Sequence, residues 1–189
     1  MLDIRRRIRA VTNIKQVTKA MEMVAAAKRR RAQDRVVAAR PYARELQAVL
    51  ARILRGEESP SHPLLVLREV RVRGIVLVTG DRGLCGSYNA NMLRRLQSAL
   101  AAARDEGVEV GLFAVGRKGR DFARRSGVRS LGEFAVGEEP GFSPARAMAR
   151  RLMDCYREGL VDEVRVIYTE FVSALTQRPA EALLLPVAR

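Results

Sequence analysis

The sequence predicts an α/β protein: one long N-terminal coiled-coil helix followed by a small α/β domain with a largely parallel sheet. Three observations predict it. Residues 2–55 hold one proline and no glycine. A seven-residue apolar repeat runs through that same stretch. Beyond residue 72 the pattern changes to short apolar runs alternating with amphipathic segments, the signature of strands joined by helices.

Residues 1–56 are expected as the long helix. Ala, Arg, Lys, Met, Gln and Leu, all good helix formers, dominate it. Counting by sevens from Ile4 passes through Val11, Thr18, Ala25, Ala32, Ala39, Leu46 and Ile53, and only Thr18 is polar. The companion row holds Ile14, Met21, Tyr42 and Val49, interrupted by Arg7, Lys28 and Arg35. An apolar row held at this period is a coiled-coil seam, and alanine in its middle lets a partner helix come close. A straight helix of this length reaches roughly 80 Å. Pro41 removes one of its hydrogen bonds and is a place for a kink; Gly56 is the expected C-cap. Nothing in residues 57–189 offers a second long heptad row, so the seam needs a partner from elsewhere.

Residues 57–72 read as a connector with a short extended stretch, and residues 73–189 as the α/β domain. Gly74-Ile75-Val76-Leu77-Val78-Thr79-Gly80 is a continuous β-branched run, as in a strand buried on both faces. A helix over 88–106 ends at Gly107, and a second strand covers 108–115. A short basic helix over 117–126 ends at Gly127, and a weaker strand covers 128–136. Gly137-Glu138-Glu139-Pro140-Gly141 is a turn. A helix over 143–158 is expected to be N-capped by Ser143 with Pro144 at its first position. Strands over 163–171 and, shorter, 182–187 complete the sheet.

Charge separates the two parts. Residues 1–56 carry 15 Lys/Arg against 4 Asp/Glu, whereas residues 57–189 carry 20 against 17. The partner question therefore belongs to the helix. No apolar run is long enough to cross a bilayer, and Arg5, Arg6, Arg7 and Arg9 break up any secretory leader. An intracellular protein with only peripheral membrane contact is expected. One histidine, His62, lies in the linker-like Ser59-Pro60-Ser61-His62-Pro63. With Cys85 and Cys155 far apart, there is neither a metal-ligand spacing nor a base beside a nucleophile. Both cysteines read as packed thiols. No catalytic, cofactor-binding or metal residue is assigned. Asp105-Glu106 and Glu138-Glu139 read as solvation at a helix end and a turn.

The loop Gly80-Asp81-Arg82-Gly83-Leu84-Cys85-Gly86 follows a strand and opens a helix, where α/β folds bind phosphate. Its glycine spacing is not that of a dinucleotide loop, it lacks the Gly-Lys-Ser/Thr of a P-loop, and Asp81 would repel phosphate. Gly80, Asp81, Gly83 and Gly86 are read as a structural turn. The cluster Lys28-Arg29-Arg30-Arg31 admits a solvated face, a nucleic-acid contact or an acidic protein partner. No aromatic residue lies within residues 1–41, so there is no stacking platform. The seam also overlaps the charge, which a basic-region zipper keeps apart. Nucleic acid is not expected.

Two stretches carry a resemblance. Ile4-Arg5-Arg6-Arg7-Ile8-Arg9-Ala10-Val11-Thr12-Asn13-Ile14-Lys15-Gln16-Val17-Thr18-Lys19-Ala20-Met21-Glu22-Met23-Val24-Ala25-Ala26-Ala27-Lys28 is one. Thr79-Gly80-Asp81-Arg82-Gly83-Leu84-Cys85-Gly86-Ser87-Tyr88-Asn89 is the other, with Arg40-Pro41-Tyr42 fitting as well. Together they resemble the gamma subunit of F-type ATP synthase over essentially the whole chain. The resemblance implies a central-stalk rotor: an antiparallel coiled coil of the terminal helices with a Rossmann-like α/β domain between them. It implies partners as well: a ring of alpha and beta subunits, the epsilon subunit and the c-ring, with membrane contact indirect. The implied location is the cytoplasmic face of a bacterial cell membrane. It implies that gamma has no catalytic site or cofactor of its own. Lys19, Met23, Lys28, Arg29 and Arg30 fall in the stretch that faces the beta subunits. The family runs on into a second long helix, whereas this chain stops at Ala188-Arg189. A fragment, a truncated product or a short form is expected, from which a complete shaft does not form by itself. The alternatives are a stand-alone basic interaction helix, binding protein or RNA, and a nucleotide-binding domain using the Gly80–Gly86 loop.

Overall fold

A computed structural model of the chain describes residues 2–56, 62–135, 137 and 141–187. The chain divides into two compact units, Met1–Glu58 and Ser59–Arg189.

The first unit is one helix, α1 (Leu2–Gly56), 55 residues long. Its composition explains its continuity: helix formers throughout, Asp3 in the first turn and Arg55 in the last, both complementing the helix dipole. Pro41 lies within it, and Gly56, expected as the cap, is its last helical residue. Thr18, the polar member of the seam row, donates its hydroxyl to the carbonyl of Ile14 at 2.8 Å. The helix thereby satisfies its own polar interruption and leaves the row fit for apolar contact.

The second unit opens with a 3-10 turn at Pro63–Leu65, where His62 Nδ1 accepts the N–H of Leu64 at 3.3 Å. Then come β1 (Val72–Val78), α2 (Tyr88–Asp105), β2 (Glu109–Val115), α3 (Arg117–Ser126), β3 (Arg129–Phe134), α4 (Phe142–Arg157), β4 (Glu163–Phe171) and β5 (Gln177–Leu185). The five strands stand in the order β3-β2-β1-β4-β5. All neighbours are parallel except β4 and β5, which are antiparallel. The sheet is thus largely parallel, as predicted.

Both faces of the sheet are covered, which is why the β1 run is apolar without alternation. Ile75 and Leu77 pack with Met92 and Leu96 of α2, Ala123 of α3 and Ile167 of β4. Val76 faces the other way, with Phe113, Val164 and the α4 residues Leu152, Cys155 and Tyr156. Gly127, with φ of 69°, ends α3 in the left-handed conformation that glycine adopts without steric cost.

Three boundaries differ from expectation, the first being the strand read over 74–80, which runs from Val72 to Val78. The helix expected from Ser143 begins at Phe142, its N-cap is Gly141, and no side chain caps it. Ser143 and Pro144 sit inside the first turn, where proline's missing N–H costs nothing. The strand expected to be short, at 182–187, runs from Gln177 to Leu185 and pairs with β4 from Phe171 to Val164. Its first half is polar and contains Pro179, a composition tolerated on an edge strand and invisible to an apolar-run criterion. Residues 138–140 of the expected turn, Ser59-Pro60-Ser61 of the connector and the terminal Ala188-Arg189 lie outside the described residues.

Candidate functional site

The candidate contact surface is α1 itself. Residues 3–32 are all exposed. The apolar row lies open along the helix: Ile4, Val11, Ile14 (64 % exposed) and Met21 in the first half, Tyr42, Leu46, Val49 and Ile53 in the second. Isolated apolar side chains on a surface need no explanation, but a row of this length is a candidate interaction face.

Helix geometry sorts the five residues assigned to partner contact. At about 100° per residue, Lys19, Met23 and Arg30 fall within about 40° of one another and share one face. Lys28 stands roughly 180° from Lys19, in the companion row of the seam with Ile14 and Met21. Arg29 lies about 80° from Lys19 on the other side. Helix geometry thus puts three of the five on one face, spread along the axis, and the other two elsewhere around the helix. Met23 (63 % exposed) places a flexible apolar side chain on the same face as the two cations. Such a surface suits an acidic partner with an apolar component.

The loop after β1 is held by hydrogen bonds to three elements. Thr79 is buried and works twice: its hydroxyl donates to the carbonyl of Val115 at 2.9 Å and accepts the N–H of Gly119 at 2.8 Å. The N–H of Gly80 donates to Asn89 Oδ1 at 2.9 Å. Asp81 Oδ1 accepts the N–H of Arg117 at 2.8 Å. Asn89 Nδ2 donates to Cys85 Sγ at 3.0 Å and to the carbonyl of Arg82 at 3.4 Å. Gly83 has open space around it, and Gly86 has φ of 56°. Cys85 is exposed. The expectation of a packed thiol is corrected here: this part of the loop is open to solvent, and neighbouring Leu84 is almost wholly solvated. Cys155 is buried, and burial pushes its thiol up.

A second polar feature escaped the sequence. Glu106 pairs with Arg73, Arg73 with Glu163, Glu163 with Arg165, Arg165 with Glu181, and Glu181 with Arg95. Burial alone would raise the Glu163 carboxyl, but hydrogen bonds from Arg165 and Arg73 outweigh it and hold the group below its ordinary value. The same contact with Glu163 holds Arg165 firmly protonated. Glu106, read as helix-end solvation, is in fact the terminus of this chain of charges. Its members come from α2, β1, β4 and β5, so no local spacing could reveal it.

Among the described residues, no group of three or more His, Cys, Asp or Glu side chains is placed to hold a metal ion, and no helix is long and apolar enough to cross a membrane.

The family described as ATP synthase matches residues 1–189. The ATP synthase gamma chain of Desulfitobacterium hafniense is 50 % identical over 188 residues, covering 99 % of this chain and 66 % of that relative. The ATP synthase gamma chain of Heliobacterium modesticaldum is 47 % identical over 188 residues, covering 99 % of this chain and 63 % of that relative. The chain thus spans a little under two thirds of the length of these relatives. Among solved structures, the central stalk and c-ring of the Tetrahymena thermophila mitochondrial ATP synthase aligns with a TM-score of 0.70 at 26 % identity. The alignment covers 90 % of this chain and 72 % of that one.

Proposed function

Because the chain belongs to the ATP synthase gamma chain family, we propose that it serves as central-stalk rotor, coupling rotation of a c-ring to conformational change in catalytic beta subunits. The observation that carries the reading is the open apolar row along a 55-residue basic helix. A partner helix and a surrounding ring account for both the row and the charge. In this reading the partner helix comes from outside the described residues, the alpha and beta subunits surround the shaft, and epsilon and the c-ring meet the α/β domain. The complex lies at the cytoplasmic face of a bacterial membrane, and gamma's own contact with that membrane is indirect. Catalysis belongs to the ring subunits. Orientation of an asymmetric shaft selects among beta conformations through differential contacts. Lys19, Met23, Lys28, Arg29 and Arg30 are the proposed contacts, with basic side chains against an acidic beta surface.

The test is incorporation and coupling. The chain, within a full-length gamma subunit, is expected to co-purify with alpha, beta and epsilon from host membranes. Reversing Arg29 and Arg30 to Glu is expected to lower proton-driven ATP synthesis more than assembly. A wild-type chain recovered without ring subunits would favour a stand-alone interaction helix. Unchanged synthesis in the reversed variant would remove those two residues from the contact.

A further inference from the structure

Residues 62–71 contain no regular structure beyond the 3-10 turn, yet they are pinned along their length. Tyr156 of α4 donates its hydroxyl to the carbonyl of Val66 at 2.5 Å. Arg68 Nη1 donates to the carbonyl of Tyr156 at 2.8 Å, and its guanidinium lies 4.7 Å from the centre of the Tyr156 ring. One oxygen of Asp162 accepts the N–H groups of Arg71 at 3.0 Å and Val72 at 2.9 Å. The N–H of Val187, just past β5, donates to the carbonyl of Leu64 at 2.9 Å. Val66 is held through its backbone carbonyl while its side chain and that of Leu67 (83 % exposed) point to solvent, and Arg68 and Val70 are half-buried.

The choice of tyrosine is informative. The ring is fully buried in the same core as Phe113, Val161 and Val164. A phenylalanine would fill that space equally well, so packing does not require the hydroxyl. Its hydrogen bond goes to the connector. A buried hydroxyl without a partner is costly, and lifting the connector away would also strip Arg68 from the ring. Docking of the connector is thereby tied to the core of the α/β domain.

We propose that Tyr156, with Arg68 and Asp162, forms a strap that fixes residues 62–72 to the α/β domain, so that torque borne by that domain passes into the connector instead of being lost in a swivel. The functional half of this proposal rests on the rotor reading; the structural half stands alone. These three are positioning residues.

The structural half is tested on the chain itself with the double variant Tyr156→Phe, Arg68→Gln. Amide exchange at Val187 is expected to rise at least tenfold, while Ile75–Leu77 exchange as in the wild type. Unchanged exchange at Val187 overturns the strap. The functional half is tested with the same pair in a full-length gamma subunit within the host's ATP synthase. Assembly and ATP hydrolysis are expected to be retained, and ATP synthesis against a high ATP/ADP ratio to fall at least threefold. Unchanged synthesis in complexes that contain the variant overturns the strap's role and leaves the rotor reading standing. Failure of the wild-type subunit to join the ring overturns both.

Discussion

The carboxylate of Asp81 accepts the backbone N–H of Arg117 at 2.8 Å, so the loop after β1 caps the helix that follows β2. Gly116, the residue at that helix's own cap position, has no side chain with which to do so. Asp81→Ala is expected to cost about 1 kcal/mol, the usual loss for a helix cap, and Asp81→Asn less. Urea unfolding of both variants measures the difference.

Gly116 itself is predicted to be intolerant of any side chain. Its φ is 87°, and a Cβ there would lie 2.2 Å from the carbonyl oxygen of Thr79. Backbone must move, so Gly116→Ala is expected to cost more than about 3 kcal/mol or to prevent folding. Gly83→Ala, with nothing within 4 Å of the added atom, is the control and should stay within about 0.5 kcal/mol of the wild type.

Glu163 predicts an acid-sensitive step. Its folded-state carboxyl is held below the unfolded value of about 4.3. The stabilisation is therefore fully present above that value and is lost as the pH falls through the lower folded one. Glu163→Gln leaves Arg73 and Arg165 each short of a partner and should cost about 1–3 kcal/mol near pH 7. The gap between variant and wild type should close at the acid end of the range, which denaturation at a series of pH values reads directly.

The two thiols should behave as different species. Cys85 is exposed and Cys155 buried, the latter with its thiol pushed up by burial. One equivalent of a thiol reagent is expected to react with the folded chain, and the second only at the rate of unfolding. Peptide mapping should place the first label on Cys85.

What could be read in advance follows a physical line. The α1 row and the β1 run were legible because each repeats a local period set by its own backbone. Gly127 was legible as a helix stop because only its own conformation mattered. The first half of β5 was not, since Gln177, Arg178 and Pro179 gain their strand geometry from pairing with β4. The exposure of Cys85 depends on which way a loop leaves the sheet. The Asp81–Arg117 contact and the charge pair of Arg73 with Glu163 join residues far apart in the chain, and no spacing records them.

That last separation has a consequence for how the protein is made. The central strand β1 is flanked by β2 and β4, and its β4 partner lies some 90 residues downstream, as Arg73 and Glu163 do. At about 5–20 residues per second, the ribosome takes roughly 5–20 s to deliver it. Through that interval β1 stands with one hydrogen-bonding edge open, and Ile75, Val76 and Leu77 lie on it. Until β4 is made, the hydrogen-bonding edge of β1 that it will cover has no partner from this sheet, and an exposed apolar strand edge is a template for mispairing.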